Sequence, residues 1–145
     1  MNRVFVDTAA LIALGNKQDR WHDQAVAISR QLTLAGCRFV TTDAVLLETG
    51  NAFSRAIYKP VAFRLIDMAR HSPRWRCLPV DQRLFDESLA LFEKMGDKDW
   101  SLVDCISITV ANDLDITQVF TTDHHFTQAG KSILLPRRDV APGVA

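Results

Sequence analysis

The chain has 145 residues, of which 48% are hydrophobic and 23% charged, so it can bury a core and lies outside the composition of disordered segments. Its 17 Lys+Arg balance 17 Asp+Glu, which excludes the broad basic field of many nucleic-acid binders. A nucleic-acid substrate would have to be held by a local basic patch, a metal or a dimer groove. No apolar run approaches the roughly 18 residues of a membrane span. The three cysteines, Cys37, Cys77 and Cys105, read as buried free thiols in apolar surroundings. Asp7 interrupts the only apolar start, so no signal peptide is expected, and reduced thiols point to the cytoplasm.

Taken in order, Arg3-Val4-Phe5-Val6 is a β-prone apolar run that stops at Asp7, and helix-prone residues 8–14 follow at once, closed by Gly15. This pattern delivers Asp7 to the carboxyl end of a buried strand, where open α/β sheets bind ligands. A helix is expected over 19–35, with Ala25, Ile28, Leu32 and Ala35 inward and Gly36 as its stop. Residues 38–42 read as a second strand. Asp43 is placed as the N-cap of a helix running to about Arg55, with Val45, Leu46, Thr49 and Phe53 toward the core. Pro60 opens the next helix, whose apolar positions are Val61, Phe63, Leu65, Ile66 and Met68.

Residues 75–80 read as a third strand, and Pro79 within it favours an edge. Asp81 caps an amphipathic helix carrying Leu84, Phe85, Leu89, Leu91, Phe92 and Met95, stopped by Gly96. The helix over 101–114 is apolar nearly all round and is expected to be buried on several sides. Residues 118–122 form a fourth strand ending, like the first, on an acid, Asp123. Residues 132–135 suggest a fifth strand, and a loose tail is expected from about 136. Strands alternating with helices predict one domain over 1–145: a three-layer α/β/α sandwich with a four- to five-stranded parallel sheet and right-handed crossovers.

Four acids stand out: Asp7, Glu48, Asp104 and Asp123. Each also has a plainer reading. Asp7 and Asp123 can cap the helical turns after them. Asp104 stands three residues after Ser101, at capping-box spacing. Glu48 can be an exposed helix residue. As a set, four carboxylates brought together would repel strongly, and a divalent cation removes that penalty. All-oxygen ligands suit Mg²⁺ or Mn²⁺ better than zinc. There is no Gly-rich phosphate loop, no nucleophile elbow and no zinc spacing. Asp99, His124 and His125 keep open roles. Trp21, Trp75 and Trp100 read first as packing residues, with base stacking as the alternative. Arg55, Lys59, Arg64, Arg70, Arg74, Arg76, Arg137 and Arg138 are candidates for phosphate contacts.

Four stretches together resemble the motifs of PIN domains: Val6-Asp7-Thr8-Ala9-Ala10-Leu11-Ile12-Ala13-Leu14, Leu47-Glu48-Thr49-Gly50-Asn51-Ala52, Asp99-Trp100-Ser101-Leu102-Val103-Asp104-Cys105 and Thr121-Thr122-Asp123-His124-His125-Phe126. They fall in the family's order, and the third resembles the VapC-type toxins. The resemblance implies a five-stranded parallel sheet, a Mg²⁺- or Mn²⁺-dependent ribonuclease, a homodimer and a small antitoxin that blocks the site. It implies that Asp7, Glu48, Asp104 and Asp123 are the catalytic acids and metal ligands, Asp7 and Asp104 foremost, with Asp123 acting directly or through water. Ala9 departs from the small polar residue common at its position, leaving Thr8 and Thr121 or Thr122 as sources of a supporting hydroxyl. Two other readings are weighed: a non-catalytic PIN-like module that binds RNA or protein, and a haloacid-dehalogenase-type phosphatase. The latter normally needs a second acid where this chain has Ala9.

Overall fold

The computed structural model describes residues 2–136; the tail expected from about 136 falls almost wholly outside them, as do Arg137 and Arg138. The elements are β1 (Arg3–Val6), α1 (Thr8–Gly15), α2 (His22–Leu34), β2 (Arg38–Thr42), α3 (Asp43–Ala52), a 3₁₀ turn (Ala56–Tyr58), α4 (Lys59–His71), β3 (Trp75–Leu78), α5 (Gln82–Lys94), α6 (Leu102–Asp113), β4 (Gln118–Phe120), α7 (His125–Gln128) and β5 (Ser132–Ile133). The sheet is parallel throughout, in the order β3-β2-β1-β4-β5. The chain steps from β1 through β2 to β3 on one side, then crosses back to β4 and β5. Right-handed crossovers therefore set α1–α4 against one face of the sheet and α5–α7 against the other. The α/β/α sandwich expected from the alternation is the fold found, with the full five strands among the described residues.

β1 is the centre of the sheet. Val4, Phe5 and Val6 are all fully buried, which explains why the strand reads as a continuous apolar run rather than an alternation. β3 lies at the edge of the sheet, as expected, but it ends at Leu78 rather than at residue 80: Pro79, which has no N–H for the ladder, stands just beyond the strand instead of within it. Trp75 stacks on Phe39 of the neighbouring strand at 4.9 Å between ring centres, and buried Trp100 donates its indole N–H to Gln128 Oε1 at 2.8 Å. Both tryptophans thus serve packing. Cys37 and Cys105 are buried and Cys77 half-buried; all three are free thiols.

Several expected boundaries move for identifiable reasons. α2 begins at His22 rather than Asp19, because Asp19 Oδ1 accepts the N–H of Trp21 and holds a turn ahead of the helix. Gly36 does close it, at φ 79°. Thr42, not Asp43, caps α3: β2 runs straight into the helix, and the Thr42 hydroxyl accepts from Val45 N–H. Phe63 is 74% exposed instead of inward; Ala62 and Ala69 take the buried positions of α4. On α5, Phe85, Leu89 and Phe92 remain partly exposed, while Leu84 and Ser88 are buried.

Gly15 has a different role from the one expected. It is the last residue of α1, with Asn16 as the cap, and a Cβ there would stand 2.8 Å from Val61 Cγ1 and 2.9 Å from Leu65 Cδ1. Glycine is needed for the close approach of α1 to α4. Val61 is β-branched and cannot swing aside freely. Gly15→Ala is expected to lower stability by about 1 kcal/mol despite alanine's better helix propensity, read as a shift in the urea midpoint. A rise in the midpoint would mean that the α1–α4 contact yields easily.

Candidate functional site

β1 is the switch point of the sheet: its two neighbours are reached by connections on opposite faces, which opens a crevice at the carboxyl ends of β1 and β4. The register pairs Val6 with Phe120, so the residues just beyond, Asp7 and Thr121, lie side by side. Asp7 N–H donates to Phe120 O at 3.1 Å, continuing the ladder one residue past the strand. Asp7 occupies the N-cap position of α1, yet its carboxylate makes no capping hydrogen bond. It instead accepts the Thr121 hydroxyl on Oδ2 at 2.7 Å.

The other acids reach the same crevice from different elements. Glu48 projects from α3, half-buried, and its Oε1 accepts the Thr8 hydroxyl at 2.6 Å. Asp104 sits in the first turn of α6. It fulfils its plainer reading as well: Ser101 Oγ accepts from Asp104 N–H at 2.9 Å, and Asp104 Oδ2 accepts from Ser101 N–H at 3.0 Å, a complete capping box. The cap locks the carboxylate on the cleft wall. Asp123 N–H donates to Thr121 Oγ1 at 3.1 Å, and its Oδ1 accepts from His125 N–H at 2.9 Å. Thr121 therefore ties Asp7 and Asp123 together through one hydroxyl. The supporting hydroxyls in question are Thr8, on Glu48, and Thr121, on Asp7.

Asp7, Glu48, Asp104 and Asp123 line a single open cleft of about 540 Å³, joined by Asp99 and His125. The five carboxylates on its wall meet no Lys or Arg among the described residues that line it. Arg55, Lys59, Arg64, Arg70, Arg74 and Arg76 are exposed elsewhere, on the α3–β3 side. Ala9 also lines the cleft, so the phosphatase reading lacks its second acid. His124 is exposed and outside the lining.

Of the three residues whose roles the sequence left open, Asp99 and His125 line the cleft, and His125 makes contacts there. Its Nδ1 lies 3.2 Å from Asp104 Oδ2 and 3.2 Å from Asp123 Oδ1, bridging α6 and the β4–α7 connection. The only signal for His125 in the sequence was its place directly after an acid-ended strand.

Burial drives the electrostatics. The carboxyl of Asp7, 5% exposed, is pushed up to about 7, first by loss of solvent and then by the charges of Asp104 and Asp123. Hydrogen bonds from Thr121 and from the Thr8 backbone oppose the shift without cancelling it. An acid held this far from its ordinary range, facing other acids with no Lys or Arg among the described residues of the wall, fits a divalent cation well. Carboxylate oxygens with one imidazole nitrogen are a suitable donor set.

Known proteins carry the same arrangement of elements. The chain is similar to the VapC20 toxin of Mycobacterium tuberculosis, which cleaves the sarcin–ricin loop: 26% identity, 88% of this chain and 95% of that one covered, TM-score 0.77. It shares its fold with VapBC2 of Rickettsia felis, solved with a DNA fragment from its promoter, at 14% identity, coverage of 90% and 96%, and TM-score 0.65. FitAcB of Neisseria gonorrhoeae matches at 17% identity, coverage of 90% and 95%, and TM-score 0.61. Among curated proteins, none matches the sequence. The PIN domain family matches residues 4–132, and with the switch-point acids and the five-stranded parallel sheet in place, the chain belongs to the PIN domain family.

Proposed function

We propose that this protein is a divalent-metal-dependent endoribonuclease, the toxin of a toxin–antitoxin pair, with Asp7, Glu48, Asp104 and Asp123 as its catalytic acids and Mg²⁺ or Mn²⁺ ligands. The observation that carries the reading is the convergence of those four side chains, from four separate elements, on one cleft at the sheet's switch point. Asp7 and Asp104, the most buried of the four, are the principal ligands. A bound cation supplies Lewis acidity and neutralises charge on the scissile phosphate. The protein's part is positioning. The Ser101 capping box fixes Asp104, the Thr121 hydroxyl fixes Asp7 against Asp123, and Thr8 holds Glu48 at the cleft wall. One of these carboxylates orients the attacking water and accepts its proton. Water as nucleophile needs no 2′-hydroxyl and leaves 5′-phosphate and 3′-hydroxyl ends.

The similarity to VapC20 makes a structured ribosomal RNA loop the first substrate to test. A neutral chain with no Arg among the described residues that line the cleft suits recognition by shape across a dimer. Exposed Leu47, Ile57 and Phe63, at 70%, 75% and 74%, with Phe85, Leu89 and Phe92 on α5, support protein partners: an antitoxin and a second copy of the chain. A single domain over 1–145 acting in the cytoplasm completes the proposal; no helix among the described residues is long and apolar enough to cross a membrane.

The decisive experiment sequences the 5′ ends of RNAs cut by wild type but not by Asp7→Asn. A non-catalytic binding module would give no such ends. Thr121→Val offers a finer test. It removes the hydroxyl that lowers the Asp7 carboxyl, so the acid limb of the pH–rate profile should move upward and Mg²⁺ affinity should fall about 10-fold. An unmoved profile would separate Thr121 from the work of Asp7.

A further inference from the structure

The four acids provide only oxygen, yet the cleft holds one nitrogen donor. His125 Nδ1 stands 3.2 Å from Asp104 Oδ2 and 3.2 Å from Asp123 Oδ1. Single donor atoms of Asp104, Asp123 and His125 all lie within 4.8 Å of one another. Donors bound side by side to one small cation at about 2.1 Å are about 3.0 Å apart. The two pairs that include His125 thus have nearly the spacing that shared coordination requires, and the two carboxylates lie within 4.8 Å of each other. The ring is also held in place. Its side chain is only 22% exposed, and the backbone N–H of His125 donates to Asp123 Oδ1, which fixes that carboxylate beside the ring. Asp104 is fixed by its capping box, so both carboxylates and the imidazole are set before any ion arrives.

Building on the proposed metal-dependent nuclease, we infer that His125 is a direct metal ligand, forming with Asp104 and Asp123 a mixed nitrogen–oxygen subsite that favours Mn²⁺ over Mg²⁺. Mg²⁺ prefers oxygen and keeps its waters, whereas imidazole suits the transition metals. Asp7 and Glu48, each with its own threonine hydroxyl, make the all-oxygen side of the same cleft.

The test reads the bound ion rather than turnover. Mn²⁺ is titrated into the full chain, and pulsed electron paramagnetic resonance looks for nitrogen coupling on the bound ion. Coupling is expected in wild type and in His124→Gln, whose ring lies outside the cleft lining, and absent in His125→Gln. Calorimetry should show Mn²⁺ affinity falling at least about 10-fold in His125→Gln, with Mg²⁺ affinity changing less than about 3-fold. Bound Mn²⁺ without nitrogen coupling in wild type would overturn the inference and leave the nuclease reading intact; the histidine would then only share a proton between two carboxylates. If neither cation binds wild type at millimolar concentration, the nuclease reading falls with it. The wild-type spectrum decides the matter even if His125→Gln fails to fold.

Discussion

Asp7→Asn and Asp104→Asn should each reduce metal-dependent RNA cleavage by about 10²–10³-fold or more, the scale on which removal of a single charge-stabilising group acts in a preorganised site. Asparagine is the informative replacement because it keeps shape. At position 104 its amide oxygen can still accept the Ser101 N–H, so the cap on α6 survives and any loss of activity reports the missing charge. Asp104→Ala would also break the capping box, at about 1 kcal/mol, and would confuse stability with chemistry. Cleavage of a labelled RNA with Mg²⁺ or Mn²⁺, beside circular dichroism of each variant, measures both. Full activity in EDTA, or in both asparagine variants, would remove the mechanism.

In chelated protein the same Asp7→Asn substitution should raise stability. The Asp7 carboxyl titrates near 3.8 when solvated and is pushed up to about 7 in the fold. The folded state therefore holds its proton longer than the unfolded chain does. As pH rises between these two values the unfolded chain ionises first, and stability drains away; above about 7 the deficit is complete. At about 1.4 kcal/mol per unit, the deficit is on the order of a few kcal/mol. In the metal-free state at about pH 8, Asp7→Asn should melt several degrees above wild type, and the difference should vanish below about pH 4. Added Mg²⁺ or Mn²⁺ should stabilise wild type more than the variant, because the ion binds only the folded form and Asn offers it no charge. Melting curves of the two proteins that run parallel across this range would show that Asp7 ionises freely.

The two effects share one cause. Asp7 is buried beside other acids, which destabilises the metal-free fold, and the cation proposed here would relieve that repulsion. His125 belongs to the same balance, placed between two of those acids. The exposed apolar side chains of α3, α4 and α5 are a separate matter, and they account for two departures from the sequence expectation. Phe63 on α4 and the stripe Phe85–Leu89–Phe92 have the spacing of core positions, but the described residues leave the first exposed and the others only partly covered. Periodicity predicts that a face is apolar and says nothing of which chain covers it.

Much of the site was legible before the fold. A continuous apolar run identifies a central strand because only a strand buried on both faces tolerates one, so Val4-Phe5-Val6 located Asp7 at a strand end. The edge position of β3 was expected, although Pro79, the reason for expecting it, lies just past the strand; the Asp81 cap, which accepts Leu84 N–H at 2.8 Å, was readable from spacing because capping is local. The candidate acids could be named, since strand ends and helix starts are local features too. Their meeting could not be derived from spacing, because it depends on the order of strands in the sheet. Only the tertiary structure settled that Thr121 serves Asp7 and Thr8 serves Glu48, that Gly15 exists for the α1–α4 approach, and that His125 faces Asp104 across 21 residues of chain. Those are contacts between distant segments. Their geometry comes from the parallel register and helix packing rather than from any residue's neighbours in sequence.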